Sequence, residues 1–539
     1  MKRIITASLV ATLALTSAQA ASNAELASKL SSLESELAKV KKDMAKQKVV
    51  LNDVKAHDSG DNIKWGADLR TAYDNLNYDM ANGTSVGKDS LYSLRLWLNM
   101  AYAPNENNVF KGQLSMNKAF GASFDNPMNR IFDAFDWTSN ESLTDNTLKV
   151  RQAYWLYLGD KAFGADIPWT MSVGRRPSVN GFLANLSQDD AEASPLGHLI
   201  NVEFDGLSSK LDFSKVTGVP GLSFKVCLGY GSTNAVPLIG SATPNADVEQ
   251  NGLDDIKLGG FIFEPYNDGQ YIVKTTWFRA FDLPDINLDA MGAVNPFAPQ
   301  LMTQVGDMDG AGISVLIDGI TEDGYFADAK VFGSYSWTKS NPNGAGALFP
   351  AGDGVNTFAS TGMLGSTESE TGTSYWFGAY LPVTDGEDNF GTIGMEYNHG
   401  SQYWRPFTYA EDTMIGSKIA ARGDAWELNY TYQINEALSV QARYVDISYD
   451  YTGSNGFFGN TSGSAMKIDD VKEGAAAWTQ LGGTQDPASA NTVVGNLMMS
   501  GLSQDQAIAA ATQMGMAANM LPQIVEAAQD FRLYLRYRF

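Results

Sequence analysis

The sequence predicts an all-β chain closed into a transmembrane antiparallel β-barrel of about 16 strands, preceded by an N-terminal α-helical coiled coil. Three observations carry this. Beyond residue 60, apolar residues recur with period two over segments of about ten residues, many of them opening or closing on an aromatic. The connections between these segments alternate between short and long. Charged residues are only 18% of the chain, yet past the N-terminus no apolar run is long enough for a helix to cross a membrane.

Composition narrows the rest. A net charge of −23 with 11% aromatics fits neither a nucleic-acid binder nor a disordered acidic chain. The single Cys, Cys227, excludes a disulfide framework, a Cys-rich zinc site, an iron–sulfur centre and c-type haem attachment. The three histidines, His57, His198 and His399, lie far apart, with neither metal-ligand nor triad spacing. No Walker A or dinucleotide fingerprint is present. The expectation is a protein without cofactor, metal or catalytic residues.

Residues 1–20 read as a secretory signal peptide. Lys2-Arg3 is the basic start, Ile4–Leu15 the apolar stretch and Ala18-Gln19-Ala20 the cleavage site. Residues 21–58 form the predicted coiled coil. Leu26, Leu30, Leu33, Leu37, Val40, Met44, Gln47, Leu51 and Val54 follow a 4-3-4-3 spacing. Lys29, Glu36 and Asp43 would face Glu34, Lys41 and Lys48, opposite in sign at every pair, as parallel helices require. A seam of this kind needs partner helices, and the polar Gln47 suits a three-stranded core, so a homotrimer is expected.

From residue 59 to 539 the pattern is that of the barrel. In the first strand Trp65, Ala67, Leu69, Thr71 and Tyr73 alternate with Lys64, Gly66, Asp68 and Arg70. The last runs Phe531, Leu533, Leu535, Tyr537, Phe539 on one face and Arg532, Tyr534, Arg536, Arg538 on the other. Short turns fall near 103–108, 159–168, 214–221, 266–269, 320–324, 382–389 and 435–437. Long connections fall near 74–89, 120–146, 177–198, 231–255, 282–309, 339–372, 401–423 and 452–529. Short turns at one end and long loops at the other are the habit of outer-membrane barrels. The terminal Phe539 resembles their C-terminal assembly signal and implies the barrel-assembly machinery as a partner. Membrane lipid and lipopolysaccharide would surround the barrel, with the coiled coil in the periplasm.

The face opposite the apolar stripe should line a lumen. It collects Lys64, Arg70, Arg95, Lys111, Lys149, Arg151, Arg176, Lys225, Arg443, Arg532, Arg536 and Arg538, with the aromatics Trp97, Trp155, Tyr157 and Tyr534. Acid concentrates in the loops, as in Asp189-Asp190-x-Glu192, so a basic wall would favour anions. Alternatively, these arginines pair with loop carboxylates folded into the lumen, which would leave little selectivity. Loop 177–198 is the candidate to fold inward. Loop 452–529 is too long for a bare connection, and the Ala/Met-rich Ser503–Met520 suggests one or two short helices that could plug or cap the barrel.

Gly174-Arg175-Arg176-Pro177-Ser178, Ala184-Asn185-Leu186, Leu199–Gly206, Ile63–Arg70 and Lys418–Ile434 resemble a family of Gram-negative outer-membrane proteins of unknown function. The resemblance spans most of 60–539 and implies a barrel and an outer-membrane address, but no substrate. A coiled coil before a barrel of this size is similar, in architecture alone, to trimeric porins. The expected function is passive diffusion of small hydrophilic, possibly anionic, solutes. The alternative is a plugged barrel whose loops bind a surface or cytochrome partner.

Overall fold

The computed structural model describes residues 63–122, 143, 146–177, 180–235, 254–286, 302–344, 347–350, 356–360, 364–385, 388–408, 414–453 and 465–539. The signal peptide and the heptad segment lie outside them.

Sixteen antiparallel strands close into one barrel. They are β1 (Lys64–Met80), β2 (Ser85–Tyr102), β3 (Asn108–Ala119), β4 (Lys149–Gly159), β5 (Trp169–Pro177), β6 (Glu203–Asp212), β7 (Ser223–Ser232) and β8 (Ile256–Asn267), followed by β9 (Tyr271–Ile286), β10 (Met302–Asp318), β11 (Lys330–Pro342), β12 (Thr371–Asp385), β13 (Asp388–Gly400), β14 (Gly423–Gln433), β15 (Leu438–Tyr449) and β16 (Val525–Arg538). Each strand pairs with its neighbour in sequence, and β16 returns to β1 in a register running from Asp68 opposite Arg538 to Met80 opposite Val525. Phe539 completes the seam: its N–H donates to Ala67 O at 3.0 Å and its carbonyl accepts from Ala67 N at 3.2 Å. Closure leaves no strand edge unpaired, the condition for crossing a bilayer with strands.

The outer face is apolar and exposed. Trp65, Leu69, Val173, Leu207, Val226, Leu228, Ile313, Tyr335, Phe377, Met395, Trp426, Leu428, Leu533 and Leu535 all point away from the barrel axis. Among the described residues no helix is long and apolar enough to span a membrane. The predicted short turns and long connections overlap the gaps between strands, but 282–309 also takes in the ends of β9 and β10, and 382–389 those of β12 and β13. The widest overrun is 74–89. Here β1 and β2 continue as a hairpin closed over residues 81–84, with Met80 N–H donating to Thr84 O at 2.8 Å. In β1 the apolar residues change parity here, from Trp65, Leu69 and Tyr73 to Leu76, Tyr78 and Met80, so the alternation reads as a break in the sequence although the strand continues.

Loop 450–524 carries three helices rather than one or two: α1 (Ile468–Gln480), α2 (Ser489–Met499) and α3 (Gln504–Met520). Ser503 opens α3 with a capping box to Gln506. Trp478, Val493, Leu497, Ala507 and Ala511 form the core shared by the three helices. A second cluster joins Ile468 and Val471 of α1 to Leu76, Ile447, Tyr449 and Ala528 of the wall and to Ile415 and Ala421 of loop 401–422. The helices are thereby seated on the rim where β1, β15 and β16 meet.

Candidate functional site

The interior of the barrel is crossed by a folded strap, residues 180–202. The strap pairs Gly181–Phe182 in parallel with Ala193–Leu196 and turns through a short helix at Leu186–Gln188. Asn180, Leu183 and Asp189 take positive φ values of 56°, 79° and 50°, a conformation non-glycine residues adopt only where surroundings over-determine it. One end of the strap is apolar. Phe182, Leu183, Leu196, Leu199 and Ile200 pack against Phe278, Met308, Leu316, Phe332 and Trp376 of the β9–β12 wall, and against Trp404, Phe407 and Ile419 of loop 401–422. His198 pins this end. Its Nδ1 lies 2.8 Å from Ser334 Oγ and its Nε2 2.9 Å from Ser374 Oγ, and complete burial pushes the imidazole down to about 3.

The other end of the strap is polar and reaches the opposite wall. Gln188 Oε1 accepts from Arg70 at 3.2 Å and from Arg95 at 3.4 Å, and its carbonyl accepts from Arg536 Nη1 at 2.7 Å. Asp190 pairs with Arg536, and Asp189 Oδ2 lies 2.5 Å from Arg538 Nη2. Gln441 donates to Ser187 O at 2.7 Å. The strap therefore spans the interior and is bonded at both ends.

Loop 401–422 supplies a second insertion. Lys418 Nζ lies 2.7 Å from Glu396 Oε2 and also pairs with Glu427. Burial opposes its charge, but the two carboxylates outweigh that and hold the ammonium above the ordinary lysine range. A Cβ at Gly372 would stand 2.0 Å from the Tyr403 carbonyl carbon, so glycine is required where this loop folds onto β12.

Most of the sequence-predicted basic residues project inward, but into contacts rather than into open water. Arg70, Arg95, Arg151, Arg443, Arg532 and Arg536 are all buried. Arg536 grips Asp68 as well as Asp190, Arg532 Nε lies 2.5 Å from Asp74 Oδ1, and Arg151 Nε lies 3.5 Å from Glu203 Oε1. Lys64, Lys111 and Lys149 share the inner face and are half-buried. Trp97 is buried between two guanidiniums, with Arg95 Cζ 3.6 Å and Arg151 Cζ 4.2 Å from its ring centre. Tyr534 is buried below Arg70, whose Cζ stands 5.3 Å from its ring.

Trp155 and Tyr157 do not face the interior. A bulge where Gln113 pairs with Gln152, and Leu114 with Val150, inserts one residue into β4 and reverses its alternation. Trp155 thus stands opposite Phe110, and both are exposed on the outer surface. Its indole N–H donates to Asn108 Oδ1 at 2.9 Å, and Tyr157 packs between Trp155 and Trp169. These rings belong to the outer aromatic belt at the short-turn end.

The wall from β5 to β7 differs from the sealed arginine side. Arg176 and Lys225 are half-buried, the Lys210 side chain is 39% exposed, and Cys227 lies on the same face and is not fully buried. Lys210 and Lys225 are direct cross-strand partners, as are Ser208 and Cys227. Of this group, Arg176 and Lys225 are expected on the lining from the sequence, and Lys210 and Cys227 are not. The pairing of β6 with β7, which no single-strand pattern reveals, brings the others to them. Among the described residues, no cluster of three or more His, Cys, Asp or Glu side chains is arranged to hold a metal ion.

A closed barrel of sixteen strands with an apolar outer belt, long loops at one end and a loop folded through its interior defines a porin-like outer-membrane β-barrel. The chain belongs to the family described as "Protein of unknown function (DUF3373)", whose model matches residues 85–486. No curated protein matches it in sequence. Among solved structures it is similar to OmpT of Vibrio cholerae, an outer membrane protein, at 12% identity over 89% of this chain and 99% of that one, with a TM-score of 0.40. It is also similar to an anion-selective porin from Comamonas acidovorans, at 10% identity over 88% of this chain and 99% of that one, with a TM-score of 0.42. OprB of Pseudomonas putida matches at 10% identity over 88% of this chain and 94% of that one, with a TM-score of 0.42.

Proposed function

We propose that the protein is a narrow porin, passing small hydrophilic anions by diffusion beside the strap rather than through an open lumen. The asymmetry of the interior is the observation that carries this reading. On the β1–β4 and β15–β16 side, buried arginines are bonded to strap and wall. On the β5–β7 side, cations stay partly accessible and outnumber the carboxylates beside them. A low-dielectric wall with fixed positive charge concentrates anions. The test is single-channel recording in planar bilayers with a KCl gradient. Small conductance steps and a reversal potential on the anion side are expected. A folded barrel that never conducts, even with the strap loosened by Gln188→Ala and His198→Ala, would overturn the proposal.

A second reading, a closed barrel that presents loops to a surface partner, is favoured by the bonds at both ends of the strap. Conductance that appears only after the strap is loosened would support it. The heptads of residues 21–58 support a homotrimer on either reading. A stable monomer that retains those residues would contradict it.

A further inference from the structure

The inner faces of β5, β6 and β7 carry two adjacent rows of side chains. One row is Ser172, Ser208 and Cys227, and the next is Thr170, Lys210 and Lys225. Arg176, from the end of β5, reaches along the wall so that its Nη1 donates to Ser172 Oγ at 2.8 Å and Ser208 Oγ at 2.6 Å. Its Nε is buried and has no hydrogen-bond partner. Lys225 Nζ donates to Ser194 Oγ of the strap at 2.6 Å. Among the described residues, neither Arg176 nor Lys225 has a carboxylate within ion-pair distance, whereas Lys210 shares Glu264 at 3.6 Å and Lys274 takes Glu192.

This placement is costly as it stands. Like charges directly opposite one another on paired strands repel, as Lys210 and Lys225 do, and a buried guanidinium N–H without an acceptor loses its hydration. On the opposite wall Arg532 is answered by Asp74, and Arg536 by Asp68, Asp190 and the Gln188 carbonyl. Around Arg176 and Lys225 the polar neighbours are hydroxyls, with a thiol in the same row, which can turn toward an anion but bring no charge of their own.

We propose that Arg176, Lys225 and Lys210, with the Ser172 and Ser208 hydroxyls, form a binding site for one small oxyanion, such as inorganic phosphate, on the β5–β7 wall. The oxyanion accepts hydrogen bonds from the Arg176 guanidinium, the Lys225 ammonium and the hydroxyls of the two serines. The site rests on the anion-porin reading and gives its passage a stopping place. It also makes Cys227, the chain's single thiol, a neighbour of the bound ion.

The experiment is equilibrium dialysis of radiolabelled inorganic phosphate against the full chain, refolded in detergent, with folding checked by heat-modifiable gel mobility. One saturable class of sites is expected. Arg176→Gln and Lys225→Gln should each weaken it by about tenfold, the loss of one charge-assisted hydrogen bond, and Lys215→Gln in the exposed turn between β6 and β7 should leave it unchanged. No saturable binding to the wild type, or equal binding to both wall variants, overturns the site. Cys227 gives an independent readout. Saturating phosphate should slow its modification by a sulfonated methanethiosulfonate reagent. A thiol that does not react, or reacts at the same rate with and without phosphate, overturns the placement. Anion conductance without phosphate binding would defeat this site and leave the porin reading standing. Binding without conductance would do the reverse.

Discussion

The imidazole Nε2 of His198 and the hydroxyl of Ser374 stand 2.9 Å apart, joining the strap to the inner wall of β12. The second ring nitrogen is engaged by Ser334 on β11, which in turn accepts from Ser314 at 2.8 Å. The ring is wedged between Trp376 and Trp404, with centroid separations of 5.6 and 5.3 Å. No carboxylate is among these partners, so the site accepts a neutral imidazole and resists an imidazolium.

Acid should therefore loosen the apolar end of the strap. In the unfolded chain His198 takes up a proton below pH ~6.5, whereas in the folded protein it does so only near pH 3. Its contribution to stability is complete above the higher value and falls with pH toward the lower one, by about 1.4 kcal/mol per unit. Denaturant unfolding of the wild type and of His198→Gln, followed by tryptophan fluorescence between pH 7 and 4, should show the wild type losing stability more steeply. Parallel slopes would mean that His198 does not stay neutral.

The polar end of the strap depends on charge instead. Arg536 and Asp68 have side chains only 4% and 8% exposed, and removing one member of so buried a pair leaves the other without compensation. Asp68→Asn should cost roughly 3 kcal/mol, and Asp190→Asn less, because Asp68 remains. Asp190→Asn should also raise the conductance of the folded barrel by freeing residues 186–190. A loss under about 0.5 kcal/mol for Asp68→Asn, the size of an ordinary surface change, would show that the pair is not sealed from water.

The two groups of interior cations should separate in function. Arg95 and Arg151 clasp Trp97, and Arg151 is also paired with Glu203. Neutralising both with Gln should lower the unfolding midpoint and leave the reversal potential within a few millivolts of the wild type. Lys210→Gln combined with Lys225→Gln removes accessible charge and should shift the reversal potential toward zero while leaving stability unchanged or raised, since a like-charge pair is removed. If the Arg95/Arg151 variant changed selectivity and the lysine variant did not, the ion path would lie on the other side of the strap.

Strand number and the alternation of loop lengths were legible because a membrane wall imposes period two on every strand. Trp65 and Leu69 against Asp68 and Arg70 are enough to declare the faces of β1. Inward basic residues follow from the same parity. Their occupation does not, because Gln188, Asp189 and Asp190 meet Arg70, Arg95, Arg536 and Arg538 across at least 93 residues of chain. The apolar half of the interior was hidden for a related reason. Phe278, Phe332 and Trp376 break strict alternation by being large and apolar on the inner face, and they read as noise unless one knows that Phe182 and Leu196 cover them. The β4 bulge is the one place where parity itself misled, since one extra residue exchanges the two faces of everything after it.

That bulge supplies the sharpest check on which surface is wet, greasy or sealed. If Arg151 and Gln152 both turn inward, position 155 lies in the lipid-facing belt beside Phe110, while position 97 is enclosed by two guanidiniums. In a Cys227→Ser background, nitroxide labels placed by Trp155→Cys and Trp97→Cys in bilayer-reconstituted barrel should respond in opposite ways. The label at 155 should relax strongly with molecular oxygen, which dissolves in lipid, and weakly with a water-soluble nickel chelate. The label at 97 should be shielded from both. A label at 155 that met the chelate more than oxygen would restore the unbroken alternation of β4, return Trp155 and Tyr157 to the interior, and move Tyr154 to the lipid.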